Sequence, residues 1–254
     1  MTVLRVPYHL DEYLPDLDLP LEPARAESAQ TITAELPPGD PWARLAPLYR
    51  RVADAVARAA GGGTRPVVVS GDCTTSLGIV AGLQRAGLDP GIVWFDAHGD
   101  VQTPETTASG YLGGMPLRLL AGYRPELIAG PLGLRPVPER RIVLAGARDL
   151  DPPEAAYLAG AAIARAGVTD LDPAVLPSGP LYVHLDLDVI DPAALPGLRY
   201  PAPGGAAPGD VAAALSGLLA TGQVAAVGVA CTWRPGHDDG ARIASYLTDV
   251  LVNL

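Results

Sequence analysis

The segment Trp94-Phe95-Asp96-Ala97-His98-Gly99-Asp100 sets three metal-competent side chains at alternate positions. In an extended chain, residues i, i+2 and i+4 point to one face, so Asp96, His98 and Asp100 can converge on one point. A second segment, Tyr182-Val183-His184-Leu185-Asp186-Leu187-Asp188, repeats the arrangement with His184, Asp186 and Asp188. Neither segment contains Lys or Arg. Carboxylates gathered without a basic partner repel one another and take up protons, so together the two segments call for a cation.

Both segments close apolar runs of the buried-strand type, Ile92 to Phe95 and Leu181 to Leu187. Pro66 to Val69, Arg141 to Gly146 and Val224 to Cys231 read as further strands. Helices are predicted over Ala43 to Ala60, where Leu45, Leu48, Val52 and Val56 keep helical spacing before a Gly61-Gly62-Gly63 stop. Others are predicted over Thr75 to Arg85, from Gly114 to Ala121, and over Pro153 to Ala166, Gly209 to Leu219 and Ala241 to Leu254. Asp11 to Pro38 is polar and Pro-rich, without a clear element. Such β-α alternation predicts one α/β domain over residues 1–254, its parallel sheet covered on both faces. Sites in such sheets lie beyond the carboxyl ends of the strands, where each polar motif here falls.

The 254 residues are 48% hydrophobic and 18% charged, enough for a large core and too apolar for a disordered chain. A formal charge of −10 disfavours nucleic acid as a partner and suits metals or cationic small molecules. Cys73 and Cys231 do not form a disulfide framework, which fits a reducing, cytoplasmic setting. The opening residues lack the pattern of a signal peptide, and no run approaches the roughly 18 apolar residues of a membrane span. A phosphate-binding reading fails, since Gly61-Gly62-Gly63 precedes a strand instead of following one.

The chain resembles the ureohydrolases, the group of arginase, agmatinase and formiminoglutamase. Their pattern contains an Asp-Ala-His-x-Asp strand end and an Asp-x-Asp-x-x-Asp-Pro strand end. Asp96-Ala97-His98-Gly99-Asp100 and Asp186-Leu187-Asp188-Val189-Ile190-Asp191-Pro192 match both in full. The resemblance implies a three-layer α/β/α sandwich around a mainly parallel sheet of about eight strands. It also implies two manganese ions bridged by Asp96 and Asp186, with Asp100 completing one site and His98 and Asp188 the other. Carboxylates with imidazole suit manganese better than a soft metal. Two ions roughly 4 Å apart can lower the pKa of a shared water for attack on a guanidinium or formimino carbon.

The match breaks at three places. Ser70-Gly71-Asp72-Cys73 stands where the family has Gly-Gly-Asp-His, so Cys73 is either a softer ligand or a small buried thiol. The family's proton-shuttling His falls on Gly113 in Tyr111-Leu112-Gly113-Gly114. The late glutamate that holds the guanidinium is missing from Ala230-Cys231-Thr232-Trp233-Arg234, where Trp233 is taken as its equivalent. His184 shares a face with Asp186 and could replace the shuttle as general acid or base, or be a hydrogen-bonded neighbour.

Asp151, in Arg148-Asp149-Leu150-Asp151, matches the family position that reads the substrate's α-amino group, or it caps the following helix. Gln102 and Ser109 keep polar character where arginases bind the substrate carboxylate, and Tyr111 lies in the same loop. The leading expectation is a manganese-dependent hydrolase of a guanidino or amidino C–N bond in an arginine-like amino acid. Hydrolases of N-hydroxy-arginine form a subgroup in which the family His can be Cys. N-hydroxylation also lowers guanidine basicity, so a missing partner carboxylate matters less. The alternative is a catalytically silent relative kept for metal or ligand binding or for assembly, as a homo-oligomer or otherwise.

Overall fold

The computed structural model describes residues 1–171, 173–234 and 236–252. Runs too short for helices form the strands, with Pro66–Ser70, Gly91–Phe95, Ile142–Ala145 and Val224–Ala230 carrying β-branched Val or Ile. In chain order these are β1 (Thr2–Val6), β2 (Tyr8–His9), β3 (Glu12–Tyr13), β4 (Gln30–Thr31), β5 (Pro66–Ser70), β6 (Gly91–Phe95), β7 (Ile142–Ala145), β8 (Ala164–Ala166), β9 (Leu181–Asp186) and β10 (Val224–Ala230). Eight of them form one sheet in the order β4-β1-β5-β10-β9-β6-β7-β8. Every pairing in it is parallel. Strands β2 and β3 form a separate antiparallel pair.

Helices cover both faces, giving three layers. The first face carries α2 (Pro41–Gly61), α3 (Ser76–Arg85), α4 (Pro116–Leu120), α5 (Ala129–Leu132) and α6 (Pro152–Gly160). The other carries α7 (Pro208–Ala220) and α8 (Asp239–Val252), with the short α1 (Pro23–Glu27) beside them. Strand side chains alternate between the two cores as the pleat requires. Val68, Ile92, Trp94, Tyr182 and Ala230 join the first core, while Val67, Val93, Phe95, Val183, Leu185 and Val229 join the second. No helix among the described residues is long and apolar enough to cross a membrane.

Three expectations change. Thr2–Val6, unassigned in the sequence reading, is a sheet strand with Leu4 and Val6 fully buried. The helix predicted to Ala166 ends at Gly160, Ala161 is extended, and Ala164–Ala166 pairs with β7 at the sheet edge. The alanines favour helix, but glycine weakens its end and ladder pairing then prevails. The closing helix starts at Asp239, and residues 253–254 of its predicted span lie outside the described residues.

The register lines up the site. Ser70 pairs with Ala230, Ala230 with Asp186, and Trp94 with His184, so the ends of β5, β10, β9 and β6 lie side by side. Helix α3 seals this centre closely because it carries glycine where it meets α2. A Cβ on Gly82 would lie 2.6 Å from the Ala53 carbonyl oxygen and 2.7 Å from Val56 Cβ. Glycine to alanine within a helix ordinarily gains up to about 1 kcal/mol. Here the clash with backbone dominates, so Gly82→Ala is expected to lower stability by about 1–3 kcal/mol, read by urea unfolding. A stabilised variant would show that α2 and α3 can separate freely.

Candidate metal centre and substrate cleft

Asp96, Asp186 and Asp188 are buried and tie neighbouring strand ends together. Asp96 Oδ1 accepts from the His98 backbone N–H (2.7 Å), and its Oδ2 accepts from the Trp94 indole N–H (3.0 Å). Asp188 Oδ1 accepts from the Ala97 N–H across the strands (3.1 Å). His98 Nδ1 lies 3.0 Å from Asp188 Oδ2 and 3.3 Å from Asp96 Oδ1. Asp186 accepts from the Asp188 N–H (2.9 Å) and the Thr232 hydroxyl (2.7 Å) on Oδ1, and from the Cys73 thiol (2.8 Å) on Oδ2. Asp100 adopts a left-handed backbone, φ +52°, and its buried Oδ2 has no partner.

Loops hold these groups from behind. The Asp72 carboxylate accepts from the backbone N–H groups of Leu10 (2.6 Å) and Thr74 (2.8 Å), fixing the turn that presents Cys73. The Arg148 guanidinium donates to the carbonyls of Asp188 (3.0 Å), Val189 (3.2 Å), Ala202 (2.8 Å) and Pro203 (3.0 Å). It thereby lashes the loop after β9 to the end of β7.

Two sets of ligand atoms lie within 4.8 Å of one another: Asp96, His98 and Asp188, and Cys73, Asp96 and His184. Asp96 belongs to both, as a bridging ligand would. The unpartnered Asp100 Oδ2 and His184 Nε2 add donors that no protein group satisfies. This donor set fits divalent ions.

Among themselves the side chains share protons. Burial, then the charge of Asp96, lifts Asp100 well above the usual carboxylate range, and burial with Asp188 and Asp96 lifts Asp186 likewise. Asp188 rises to about 6 through burial and Asp96. Burial would raise Asp96 as well, but hydrogen bonds from His98 hold it at about 2. Burial opposes the His98 charge, yet Asp188 and Asp96 raise that imidazole to about 12. Burial and the nearby Asp186 push the Cys73 thiol up.

Cys73, His98, Asp100, Asp186 and Asp188 floor a cleft of about 350 Å³, whose walls include Gln102, Thr107, Ser109, Tyr111, Asp151, Glu154 and Tyr200. Gln102 Nε2 donates to Asp151 Oδ2 (2.9 Å). Asp151 also starts α6, where its N–H donates to Glu154 Oε2 (3.2 Å), so cap and cleft positions coincide. Ser109 sits on the exposed rim.

Two expected site residues lie elsewhere. Trp233 does not line the cleft; it packs in the second core. Side chains alternate along the end of β10, so Thr232 faces the metal-competent cluster and Trp233 the opposite layer. His184 does not line the cleft either: it lies beneath, fully enclosed, its ring stacked on Trp94 at 3.7 Å. Burial holds its pKa down at about 3, so it is a neutral imidazole. Thr232, Glu154, Tyr200 and His9 were missed as site residues. Face alternation marked Thr232, whereas the other three come from distant segments with no local signal.

Tyr111 explains the missing shuttle. A Cβ on Gly113 would lie 2.2 Å from Tyr111 Cε1, so the phenol ring fills the space a side chain there would need. That ring stacks on His9, whose Nδ1 donates to the Gly71 carbonyl (2.8 Å).

The model of the Arginase family matches residues 4–253. The chain belongs to the arginase family. N(omega)-hydroxy-L-arginine amidinohydrolase of Streptomyces lavendulae is 34% identical over 194 residues, which are 71% of this chain and 67% of that protein. Mitochondrial arginase-2 of Bos taurus is 33% identical over 175 residues, 61% of this chain and 49% of that protein. The matched part thus spans about half to two thirds of these arginase-family relatives. Among solved structures, arginase from Bacillus caldovelox aligns with TM-score 0.81 at 23% identity, covering 97% of this chain and 95% of that one. Formimidoylglutamase from Bacillus subtilis aligns at 0.69 and 16%, covering 99% and 84%. The eight-stranded architecture is the arginase fold.

Two outcomes follow from this geometry. Asp188 keeps its proton up to about pH 6, and His98 holds one far above neutrality. A bound cation must displace both protons, so affinity rises with pH. Calorimetric titration of metal-stripped protein with manganese is expected to show tighter binding at pH 8 than at pH 5; equal affinities would contradict the proton competition. Gly113→His is expected to destabilise the fold by about 1–3 kcal/mol through overpacking, and Tyr111→Ala to relieve that loss in the double variant. Additive losses would mean that the two positions do not share space.

Proposed function

We propose that the protein is a metal-dependent ureohydrolase that cleaves a guanidino C–N bond in an arginine-like amino acid, with N-hydroxy-arginine the favoured substrate. The observation that carries this reading is that Asp96, His98 and Asp188 bring ligand atoms within 4.8 Å of one another, where His98, Asp100, Asp186 and Asp188 line a cleft walled by Asp151. Asp96, His98, Asp100, Asp186, Asp188 and Cys73 would hold divalent ions, with manganese suited to the oxygen-rich part. Bound there, such ions supply Lewis acidity and lower the pKa of water beside the reacting carbon.

The chain's own residues orient the substrate. The Asp151 carboxylate, steadied by Gln102, receives the α-amino group, while Ser109 and Thr107 at the rim meet the α-carboxylate. That arrangement runs the side chain toward the floor. There Thr232 offers a neutral hydroxyl where the family pattern has a glutamate. A neutral partner suits a weakly basic N-hydroxyguanidine better than a fully charged guanidinium, which buried without a carboxylate would be costly. Tyr111 stands on the cleft wall with its hydroxyl 3.4 Å from His9 Nε2. The Gly71 carbonyl fixes the His9 proton on Nδ1, so the phenol donates to Nε2 and its O–H is held in place. When water adds and the C–N bond breaks, a proton of that water passes to the departing amine, while the Tyr111 O–H stays on His9 Nε2 and its oxygen can accept a hydrogen bond from a substrate N–H.

The test is a hydrolysis panel on manganese-loaded protein: N-hydroxy-arginine, arginine, agmatine, guanidinobutyrate and formiminoglutamate. N-hydroxy-arginine should be turned over fastest, releasing an amino acid amine and a urea. Asp188→Ala should lower kcat/KM at least about hundredfold, since even outer partners of metal ligands are worth roughly 10–100-fold. Faster cleavage of agmatine than of any amino acid would remove the role given to Asp151. A fully loaded protein inert toward all five would favour a non-catalytic, ligand-binding relative.

A further inference from the structure

Position 73 carries a thiol where the family pattern places an imidazole, and an imidazole reaches the same spot from another strand. His184, on β9 in register with Trp94, is 2% exposed. Its Nδ1 lies 3.0 Å from Ser76 Oγ and 3.1 Å from the Tyr182 hydroxyl. Those hydroxyls are 2.8 Å apart, so when one donates to the other an oxygen lone pair is open that can accept from Nδ1–H. Proton placement on Nδ1 leaves the Nε2 lone pair free. Nε2 is buried and has no hydrogen-bond partner, and the His184 imidazole belongs to the set with Cys73 and Asp96 whose ligand atoms lie within 4.8 Å of one another. A structural histidine in a core ordinarily satisfies both nitrogens, whereas one nitrogen held by an oxygen and the other free is the pattern of a metal-ligating imidazole.

The surroundings are shaped for this ring. Trp94 stacks on it, with ring planes 26° apart, and the indole N–H of that tryptophan holds Asp96. On β10, Gly228 pairs with His184, and a Cβ there would lie 2.3 Å from the Tyr182 hydroxyl. Glycine thus leaves room for the hydroxyl that orients the imidazole.

We propose that His184 is a metal ligand, its Nε2 joining Cys73 Sγ and the Asp96 carboxylate to form the ion site nearest β5. This rests on the reading of the acidic cluster as a metal centre. His184 replaces, from the adjacent strand, the imidazole that position 73 lacks. The two sites then differ in kind: sulfur, nitrogen and oxygen around Cys73 and His184, nitrogen and oxygen only around His98 and Asp188. A thiolate-bearing site prefers zinc, cobalt or iron(II) over manganese, so the centre is built to hold unlike ions.

The experiment loads the purified full chain with cobalt(II) alone and records X-ray absorption and the thiolate-to-cobalt charge-transfer band. Two imidazoles and one sulfur per two cobalt ions are expected. His184→Phe, which keeps an aromatic ring against Trp94, should lose one imidazole and weaken one of the two cobalt sites at least about tenfold. A single imidazole in the unaltered protein, or a variant that binds both ions unchanged, overturns the assignment while leaving the metal centre intact. No cobalt bound by the unaltered protein would instead defeat the metal-centre reading itself. Should His184→Phe fail to fold, the imidazole count of the unaltered protein decides the question.

Discussion

The centre of this molecule depends on keeping like charges together out of water. At an effective dielectric of about 20, two carboxylates about 4 Å apart repel by roughly 4 kcal/mol. Asp96, Asp100, Asp186 and Asp188 gather at the ends of adjacent strands, each nearly or wholly buried. The fold meets part of that cost with backbone N–H groups, the Trp94 indole and the Thr232 hydroxyl. The rest is met by protons, most plainly the one His98 holds between Asp96 and Asp188. A proton there does the work of a stronger positive charge, which is why the cluster reads as a place for cations.

That constraint made much of the architecture legible from residue order. A parallel sheet is the arrangement that brings two acidic strand ends together, and β6 and β9 are hydrogen-bonded neighbours. The ligand carboxylates and His98 could be read because their spacing is local. What escaped reading was set by pairing and by packing from a distance. Ala164–Ala166 looks helical in isolation and becomes a strand only because β7 offers an edge. Trp233 was expected at the place of the family's late glutamate, whereas the pleat turns its neighbour Thr232 to the cleft. His184 was expected on the face of Asp186, and its depth beneath the cleft follows from α3 and Trp94 packing over it.

The departures from the family pattern are mutually consistent. Tyr111 takes the room that opens at Gly113 and brings its hydroxyl beside His9. Thr232 leaves the floor without the charge a guanidinium would need and uses its own hydroxyl to hold Asp186. Cys73 gives up an imidazole next to a strand that supplies one. Each loss has a neighbour that fills the space or the chemistry. Simple decay would leave holes and orphaned charge in these places.

Arg148 has a consequence for how the cleft admits a molecule. Its guanidinium is spent entirely on main-chain oxygens, four of them in the stretch from Asp188 to Pro203. That bank of the cleft is stapled to the sheet and has little freedom to swing. The Pro104 to Gly110 bank is mostly solvent-exposed, held within itself by the Thr106 and Thr107 hydroxyls and from outside by Tyr123 and Arg124, which both donate to Glu105. One bank is thus fixed by main-chain carbonyls gathered on a single guanidinium, the other by side-chain hydroxyls and an ion pair at the rim.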